Sequence, residues 1–465
     1  MSDTPAFQGR LPARSMGLKL LLVCGLAFIM SLTALFVFLL VYDRTSRAER
    51  VTREVGALVG GQQTFIGPVL AVPYVIPPAR PNEAAERGVH VIFPAVGKAA
   101  ATTRSEVRRR SLFKVPVWQA DLTLSSEFDL SQAGALAPVG AQLDWSRAEL
   151  LVGVSDARGA RADATLQVGD QTIALSPAVL ADQVAIAADE RPEGPARLFG
   201  ARIGDPRALG PALKASASLK FSGAQRLAVL PWAKTTSFTA SGDWPHPSFD
   251  GGFLPAERTV TPSGFEARWS VPFIARGVPA EGDLGTLGRL GAGSLGVSFV
   301  EMTNPYQSVS RSLKYAPMFM GLVFLAYFVF ETIARRRVHP AQYVLIGLAQ
   351  IVFYLLLLSI AERTGFDLAF IIAAGATVAL ISAYAGWVFE SRRQGLAALA
   401  SFSVLYGLIY GLMRLEDLAL LIGAVASFAA IAAVMYFTRR VDWYGSPAPA
   451  AAHPDTLKTA LKDAD

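Results

Sequence analysis

The feature of this sequence that most constrains its fold is a series of five hydrophobic segments in the last third of the chain. Short charged connectors separate the segments, which cover residues 316–333, 343–360, 366–389, 395–413 and 418–437. Each segment has about 18 or more residues, enough for a helix to cross the roughly 30 Å hydrocarbon core of a bilayer. Because backbone amides in lipid must hydrogen-bond within their own segment, the pattern predicts five membrane-spanning helices.

A sixth hydrophobic segment, residues 17–42, lies near the N-terminus and follows a basic start with Arg10 and Arg14. The alternative is a cleaved signal peptide, whose apolar region has about 7–15 residues and ends at a small-x-small site. This apolar run is longer, and residues 39–43 (Leu-Leu-Val-Tyr-Asp) contain no such site. The segment therefore predicts an uncleaved anchor, which gives six spans in total.

The distribution of arginine predicts the orientation of the spans. Arginines at 335–337, 392–393 and 439–440 lie on one side, whereas Arg363 and Arg414 in the alternate connectors each lie near an acid. The positive-inside rule places the arginine-rich side in the cytoplasm. The tails 1–16 and 438–465 are then cytoplasmic, the second of them disordered, and residues 43–315 form a periplasmic domain.

Four arginines, at 44, 47, 50 and 53, follow the first span and would place positive charge outside. The short loops decide the orientation, because large domains are translocated largely regardless of their charge. We interpret this basic run as a solvated helix that continues out of the membrane, with arginines that could meet lipid phosphates.

Composition excludes several classes of function. The net charge is +6, but much of the basic excess lies at the ends of hydrophobic segments, which argues against a nucleic-acid partner. Cys24 is the single cysteine, so neither an intramolecular disulfide nor a cysteine-based zinc site can form. The four histidines are scattered without the spacing of metal ligands, and the sequence predicts no metal site and no cofactor.

Residues 43–315 show the alternation of a β-rich domain. Apolar and polar residues alternate over 118–125 and over 213–221, and residues 165–175 read as a hairpin with Gly169 and Asp170 at its turn. Helical spacing occurs only near residues 45–60. Frequent Gly and Pro favour a sandwich-like or otherwise antiparallel architecture. The predicted fold class is an α+β membrane protein with six transmembrane helices and a large β-rich periplasmic domain.

The most distinctive local motif of this domain is Trp244-Pro-His246-Pro. Prolines on both sides of His246 fix the direction of its ring, which would suit ligand binding or titration. The favoured alternative is a rigid turn in which Trp244 packs on the sheet and His246 faces water. No second metal ligand is evident.

A second polar motif, Ser-Asp156-Ala-Arg158-Gly, follows a predicted strand and could present a polar cluster to a partner. A tight turn in which Asp156 bonds nearby amides is the favoured explanation. A hydrolase triad would need a paired histidine, but His90 and His246 occur in unrelated contexts and no G-x-S-x-G is present.

His339-Pro-x-x-Tyr343 opens the third predicted membrane helix. A signalling or binding role is one reading. The favoured reading is a helix start, with proline in the first turn and Tyr343 in the interfacial aromatic belt. Glu331 is spaced to pair with Arg335 on the preceding helix.

Transport is the main rival class of function. Ion-coupled transporters hold ionisable residues at mid-membrane, whereas the midplane here is predicted to hold only a few polar side chains. We expect these to bond across helices and to support packing: Gln350, Ser382, Tyr384, Ser403, Tyr406 and Ser427.

Several stretches together resemble the CreD family of inner-membrane proteins, also described as colicin tolerance proteins. They occur in order from residue 54 to 363 and include Gly-Pro-Val-Leu-Ala-Val-Pro-Tyr at 67–74, Arg-Arg-Ser-Leu-Phe-Lys-Val-Pro-Val at 109–117, Val-Gly-Val-Ser-Asp-Ala-Arg at 152–158, Trp-Pro-His-Pro-Ser-Phe at 244–249 and His-Pro-Ala-Gln-Tyr at 339–343. The last three helices match mainly in hydropathy, and Val59-Gly60 stands where the family has tryptophan. The resemblance implies a role in envelope integrity and envelope stress, with no catalytic activity or cofactor.

The sequence thus predicts a non-enzymatic inner-membrane protein that supports the cell envelope. Beyond the lipid bilayer, its periplasmic domain is expected to bind an envelope protein, a lipid or a cell-wall component. The candidate contact residues are Trp244, His246, Asp156, Arg158, His339 and Tyr343. The alternative is a transporter or lipid-handling protein with a pathway in the C-terminal bundle. An enzyme would require His246 to meet a distant Asp or Glu.

Overall fold

A computed structural model describes residues 16–78, 80, 83–110, 113–180, 183–184, 196–300, 305–334, 338–414 and 419–439. The chain divides into two compact units. We call Arg47–Met302 the sheet unit, and Met1–Ser46 together with Thr303–Asp465 the helical unit. The expected disordered tail after residue 439 and the first 15 residues lie outside the described part of the chain.

The described helices are α1 (Met16–Leu58), α2 (Phe273–Arg276), α3 (Leu284–Arg289), α4 (Pro305–Lys314), α5 (Ala316–Ala334), α6 (Pro340–Thr364), α7 (Phe366–Val388), α8 (Arg392–Arg414) and α9 (Ala419–Thr438). Single turns of 3₁₀ helix occur at Trp145–Arg147, Ala157–Gly159, Pro206–Leu209 and Leu290–Gly293.

Five of these helices, α1 and α5 to α8, are long and apolar enough to cross a membrane. The sixth, α9, has a shorter apolar stretch over Leu421–Tyr436. The chain therefore has an apolar N-terminal helix and a C-terminal bundle of apolar helices, as predicted. The bundle helices match the predicted segments to within a few residues, whereas α1 continues past residue 42 to Leu58. Helix α6 begins earlier than predicted because His339 and Pro340 form its first turn, and Gly365 (φ +83°) separates it from α7.

The described strands are β1 (Gln63–Ile76), β2 (Glu86–Ile92), β3 (Val96–Arg110), β4 (Phe113–Asp129), β5 (Gln142–Leu143), β6 (Glu149–Val154), β7 (Thr165–Val168), β8 (Gln171–Ala174), β9 (Ser176–Pro177), β10 (Gln183–Val184), β11 (Ala196–Arg202), β12 (Ala212–Ala224), β13 (Arg226–Val229), β14 (Thr235–Gly242), β15 (Pro247–Gly251), β16 (Glu257–Thr261), β17 (Gly264–Val271), β18 (Glu281–Asp283) and β19 (Leu295–Phe299).

The strands form two sheets, of eleven and eight strands. The first has the order β10-β11-β6-β1-β13-β19-β15 with short strands beside it, and the second has the order β16-β17-β14-β3-β4-β12-β7-β8. Pairing is antiparallel except between β1 and β13 and between β3 and β14. Buried side chains of both sheets, including Phe65, Leu124 and Phe238, belong to one apolar core. The sheet unit is thus a sandwich, and the predicted fold class is confirmed.

One close approach inside the sandwich requires glycine. A Cβ atom on Gly67 of β1 would collide with the indole of Trp232. That indole donates a hydrogen bond to the Ser126 hydroxyl at 2.9 Å, and Ser126 donates to the Pro68 carbonyl at 2.7 Å. The Gly67-Pro68 pair therefore lets a buried tryptophan bridge the two sheets.

Strands β3 and β4 form a long hairpin in which Val96 to Arg110 pair with Glu127 to Phe113. In β3 the alternation of buried and exposed residues ends after Thr103, and residues 106–110 are all exposed. Near the tip, Val115 and Val117 of β4 pack with Val55 of α1. The end of α1 therefore lies against this hairpin, within the sheet unit.

Local sequence signals matched the structure where they were strong. The stretches 118–125 and 213–221 lie within β4 and β12, and Gly169 with Asp170 forms the predicted turn between β7 and β8. The helical spacing at 45–60 corresponds to the second part of α1. Strand β1 begins at Gln63, and its first ten residues are buried on both faces, so its start lacks the alternation of a half-buried strand.

Candidate functional site

The Trp244 motif joins β14 to β15. The Trp244 ring is 8% exposed and meets Phe299 edge to face at 6.2 Å between ring centroids. Its indole N–H is shared between the carbonyls of His246, at 3.1 Å, and Val300, at 3.2 Å. His246 itself is exposed. The motif is therefore arranged as a rigid turn with a packed tryptophan and an outward histidine, and among the described residues no carboxylate lies within ion-pair distance of His246.

Asp156 and Arg158 form a local turn at the surface. The Asp156 carboxylate accepts from the Arg158 amide at 2.9 Å and from its guanidinium at 2.5–3.0 Å. The Asp156 carbonyl accepts from the Gln63 side chain at 2.8 Å. This is the amide-bonding turn favoured by the sequence, and it leaves the Arg158 side chain 66% exposed.

His339 caps α6. Its Nδ1 accepts from the Ala341 amide at 3.2 Å, and the Gln342 side chain accepts from the His339 amide at 3.1 Å. These reciprocal bonds form a capping box, which satisfies amides that the first helical turn leaves without partners. The exposed imidazole thus begins the helix.

Tyr343 does not lie in an interfacial belt, and that expectation was wrong. Its side chain is fully buried, and its hydroxyl donates to Glu331 Oε2 at 2.8 Å. The ring also meets Tyr327 edge to face at 5.4 Å between centroids. Burial follows from the position of Tyr343 on the face of α6 that packs inside the bundle, where a hydroxyl requires a partner.

Glu331 is the centre of this cluster. Its side chain is 3% exposed, and it accepts from Lys19 Nζ, from the Val338 amide at 2.9 Å and from Tyr343. Lys19 also donates to the Val338 carbonyl at 2.9 Å. We call Lys19, Glu331, Val338 and Tyr343 the Glu331 cluster. It ties α1 to the break between α5 and α6.

Sequence reasoning missed this cluster because it matched Glu331 to the nearest cation by helical spacing. Arg335 lies outside the described residues, and the observed partner, Lys19, is 312 positions away. The available signal was the acid itself, because an ionisable residue in an apolar helix marks a candidate site by default.

The interior of the bundle also holds polar atoms that are buried and have no hydrogen-bond partner within the described part of the protein. They include the hydroxyls of Tyr327, Tyr354, Tyr406 and Ser382 and both polar atoms of the Gln350 side chain. The sequence predicted bonds across helices for a partly different set, namely Gln350, Ser382, Tyr384, Ser403, Tyr406 and Ser427. Ser427 does so weakly, since it lies 3.2 Å from the Met318 sulfur, but Gln350, Ser382 and Tyr406 do not.

The sheet unit contains a buried histidine and carboxylate that the sequence did not suggest. His90 Nε2 lies 3.0 Å from Glu281 Oε2, and Glu281 also accepts from the amides of Gly134 and Leu136, both at 3.0 Å. Burial raises the pKa of Glu281, but the bonds from His90 and the two amides outweigh it, so the pKa lies below its ordinary value.

Two further buried charges in this unit are also bonded by the backbone. Glu149 accepts from the amides of Val179 and Leu180 at 3.4 and 3.2 Å. Arg276 donates to three backbone carbonyls and stacks on Phe93, and burial lowers its pKa to about 10. These groups act as structural anchors. Within the described ranges of the chain, no three His, Cys, Asp or Glu side chains are grouped so that they could hold a metal ion.

The segments that Glu281 joins carry prominent apolar side chains. Glu281 holds the loop at 134–136 by its amides and begins β18, which follows α2 closely in sequence. Leu136 and Val139 on this loop are 58% and 98% exposed, and Ile274 on α2 is 91% exposed. We call these three residues the apolar tips.

Comparison with known proteins gives two matches that cover most of the chain. The family model described as "Inner membrane protein CreD" matches residues 15–444. The chain is also similar to the Escherichia coli (strain K12) protein named "Inner membrane protein CreD", with 29% identity over 439 residues. That alignment covers 93% of this chain and 94% of the relative.

Proposed function

The chain belongs to the CreD family of inner membrane proteins, and from this premise we propose that it supports envelope integrity and the response to envelope stress without catalysing a reaction. It is a multi-pass inner-membrane protein. In this proposal both termini are cytoplasmic, the sheet unit lies in the periplasm, and the sheet unit binds an envelope protein, lipid or cell-wall component.

The observation that carries the proposal is the exposure of the apolar tips on segments that are firmly held. Val139 and Ile274 are almost fully exposed, and the bonds of Glu281 to the amides of Gly134 and Leu136 hold the loop that leads to Val139. Exposed apolar side chains on ordered segments favour contact with a partner, because binding removes their surface from water without a large ordering cost.

The placement of the buried charges supports a non-enzymatic role. Glu149, Arg276 and Glu281 are each bonded by backbone groups. The acid–base pair of His90 with Glu281 is itself buried, with exposures of 2% and 7%, whereas catalytic pairs usually line an accessible cleft. Of the sequence candidates, His246 and Arg158 stay accessible for a partner, whereas Trp244 and Tyr343 are buried.

Photocrosslinking in intact cells tests the proposal. A photoreactive residue would replace Val139 or Ile274, with Val260 as the matched control because it is also apolar and is 48% exposed on β16. We expect both test positions to capture the same envelope molecule and the control to capture none. Only background labelling from both test positions would contradict partner binding by the apolar tips.

The second candidate function is transport or lipid handling within the bundle. The observation that favours it is the set of buried polar atoms on Gln350, Tyr354 and Tyr406 that have no hydrogen-bond partner among the residues that the structure describes. Polar groups buried in a bundle are costly unless they meet water or a ligand. Lipid adducts from a photoreactive residue at position 350, whose side chain is buried inside the bundle, would support this candidate over the first.

A further inference from the structure

The sheet unit carries a concentrated basic surface on two elements that pack together. Its residues are exposed on the second part of α1 and near the tip of the β3–β4 hairpin. We define the basic surface as Arg47, Arg50, Arg53, Arg104, Arg108, Arg109, Arg110 and Lys114. All eight are exposed, and they are intrinsic to one compact unit.

Packing within the unit brings these two elements together. Val51, Val55 and Val59 of α1 pack with Val115 and Val117 of β4. Arg110 also donates to Glu54 at 2.9 Å, in an ion pair whose two side chains are 57% and 58% exposed. The arginines of the helix therefore lie beside the tip of the hairpin, where Arg108 shares the face of Val115 and Arg109 with Lys114 lies on the opposite face.

Charge in this unit is unevenly distributed. Residues 47–302 contain 26 Lys and Arg and 25 Asp and Glu, so the unit as a whole is nearly neutral. The two basic segments, 47–54 and 104–114, hold eight of the cations but only three of the acids, Glu49, Glu54 and Glu106. The rest of the unit has 18 cations against 22 acids. The basic surface is thus a local excess of five positive charges on an otherwise acidic unit.

The chain keeps this surface close to the bilayer. Tyr42 is the last residue of the hydrophobic segment, and Arg47, Arg50 and Arg53 follow it by five to eleven positions. Because the hairpin tip packs on the same stretch of α1, its arginines share that proximity. The potential of an anionic bilayer extends about 8–10 Å into solution at physiological salt and attracts juxtamembrane basic clusters.

We propose that the basic surface binds the headgroups of anionic phospholipids and so holds the sheet unit against the membrane. Charge complementarity and chain proximity favour lipid over an acidic protein, since a lipid surface is present wherever the span is inserted. Such binding would also explain why arginines follow the first span, although the positive-inside rule predicts few positive charges on that side. This inference concerns a different surface from the apolar tips and does not depend on the proposed function.

Lipid retention by the full chain tests the proposal. The protein would be purified in a neutral detergent and titrated with phosphatidylglycerol or phosphatidylcholine of identical acyl chains, and native mass spectrometry would count bound lipids. The test variant is R50Q/R108Q/R109Q, which removes charge from both elements and leaves the Arg110–Glu54 pair. The matched control is K214Q/K220Q/R258Q, which removes the same charge from exposed positions elsewhere in the unit.

We expect the unmodified chain to bind phosphatidylglycerol at least about tenfold more tightly than phosphatidylcholine. The test variant should lose about 10- to 100-fold in affinity for phosphatidylglycerol, because each basic residue near an anionic surface contributes roughly a fivefold gain. The control variant should bind as the unmodified chain does. Added salt near 1 M should abolish the preference, since the Debye length then falls to about 3 Å.

A conservative variant distinguishes loss of lipid binding from loss of folding. R50K/R108K/R109K keeps the charge and should retain lipid, and thermal unfolding should be similar for all variants. Retention of phosphatidylglycerol by R50Q/R108Q/R109Q, or an equal loss in the control variant, would overturn the proposal. So would capture of an acidic protein by a photoreactive residue at Arg109 together with unchanged lipid retention, which would assign this surface to that protein.

Discussion

The two units hold their buried polar groups in different ways. In the sheet unit, Glu149, Arg276 and Glu281 are bonded by amides and carbonyls of irregular segments, and only Trp118 Nε1 and Arg276 Nε lack a partner among its described buried side-chain atoms. In the helical unit, Gln350 and Tyr354 have no partner within the described residues. Helices use their backbone groups internally, so a polar side chain in a bundle must find another side chain, water or a break between helices. Glu331 illustrates the last case, since it bonds the Val338 amide where α5 and α6 are interrupted.

The largest effect is expected from Glu331→Ala. This substitution leaves Lys19 without its buried anion and removes the acceptor of the Val338 amide and the Tyr343 hydroxyl. Breaking a buried ion pair by removal of one partner costs about 3–5 kcal/mol, and we expect about 3 kcal/mol because Lys19 is 22% exposed. Thermal unfolding of the full chain in detergent, followed by helical circular dichroism, measures the loss.

The matched control is the double variant Lys19→Met with Glu331→Leu. It removes both charges, so it should recover part of the stability that Glu331→Ala loses. The Val338 amide stays without its acceptor, which makes full recovery unexpected. An unfolding midpoint of Glu331→Ala equal to that of the unmodified protein would show that the Glu331 cluster does not stabilise the bundle.

In the sheet unit, Glu281→Gln is expected to cost about 2 kcal/mol at neutral pH. The side-chain NH2 of glutamine would face a group that now donates a hydrogen bond to Glu281. That buried donor would then have no acceptor, and each unsatisfied buried donor costs about 1–3 kcal/mol. Chemical denaturation monitored by tryptophan fluorescence at a series of pH values gives the change in unfolding free energy.

The pH dependence has a definite sign. Because the pKa of Glu281 is lower in the folded protein than its ordinary value of 4.5, ionised Glu281 stabilises the fold above that pH. The stabilisation is lost as the pH falls through the folded pKa. The difference between the unmodified protein and Glu281→Gln should therefore shrink below about pH 4.5. A constant difference from pH 7 to the acid limit would contradict the assigned bonds.

The difference between local and distant contacts explains which features the sequence could predict. The hairpin of β7 and β8 was predicted with its turn because alternation and turn residues are local signals. Strand β1 is buried on both faces, so it lacks alternation at its start, and its neighbours β6 and β13 are far away in the sequence. Pairing between distant strands leaves no periodic trace in a single sequence.

For the candidate sites too, the sequence indicated bonds between neighbouring residues but not bonds between distant ones. The turns predicted at Asp156 and His339 are present, and their bonds join residues two or three positions apart. Glu331 was assigned to its neighbour at helical spacing, although its observed cation is in the first helix. The buried pair of His90 and Glu281 joins residues 191 positions apart, and no local motif announced it.

Tyr343→Phe tests whether a buried hydroxyl with a partner stabilises the bundle more than one without a partner among the described residues. Loss of the hydroxyl removes one donor to Glu331, and we expect about 1 kcal/mol of destabilisation. Tyr354→Phe is the matched control, because Tyr354 is equally buried on the same helix but its hydroxyl has no protein partner among the described residues. The control should lie within about 0.5 kcal/mol of the unmodified protein by thermal unfolding. Equal costs for both would mean that the Tyr354 hydroxyl bonds something outside the protein.

The smallest effect is expected from His246→Ala at the surface of the sheet unit. The imidazole is exposed, whereas the carbonyl that accepts from Trp244 belongs to the backbone and survives the substitution. Stability should change by less than about 0.5 kcal/mol, as for most surface substitutions. Trp244→Ala is the contrasting variant, with an expected loss of about 3 kcal/mol, because it removes a packed indole. Both are measured by denaturation of the full chain. Destabilisation by His246→Ala comparable to that of Trp244→Ala would show that the ring bonds within the fold and would remove His246 from the candidate partner contacts.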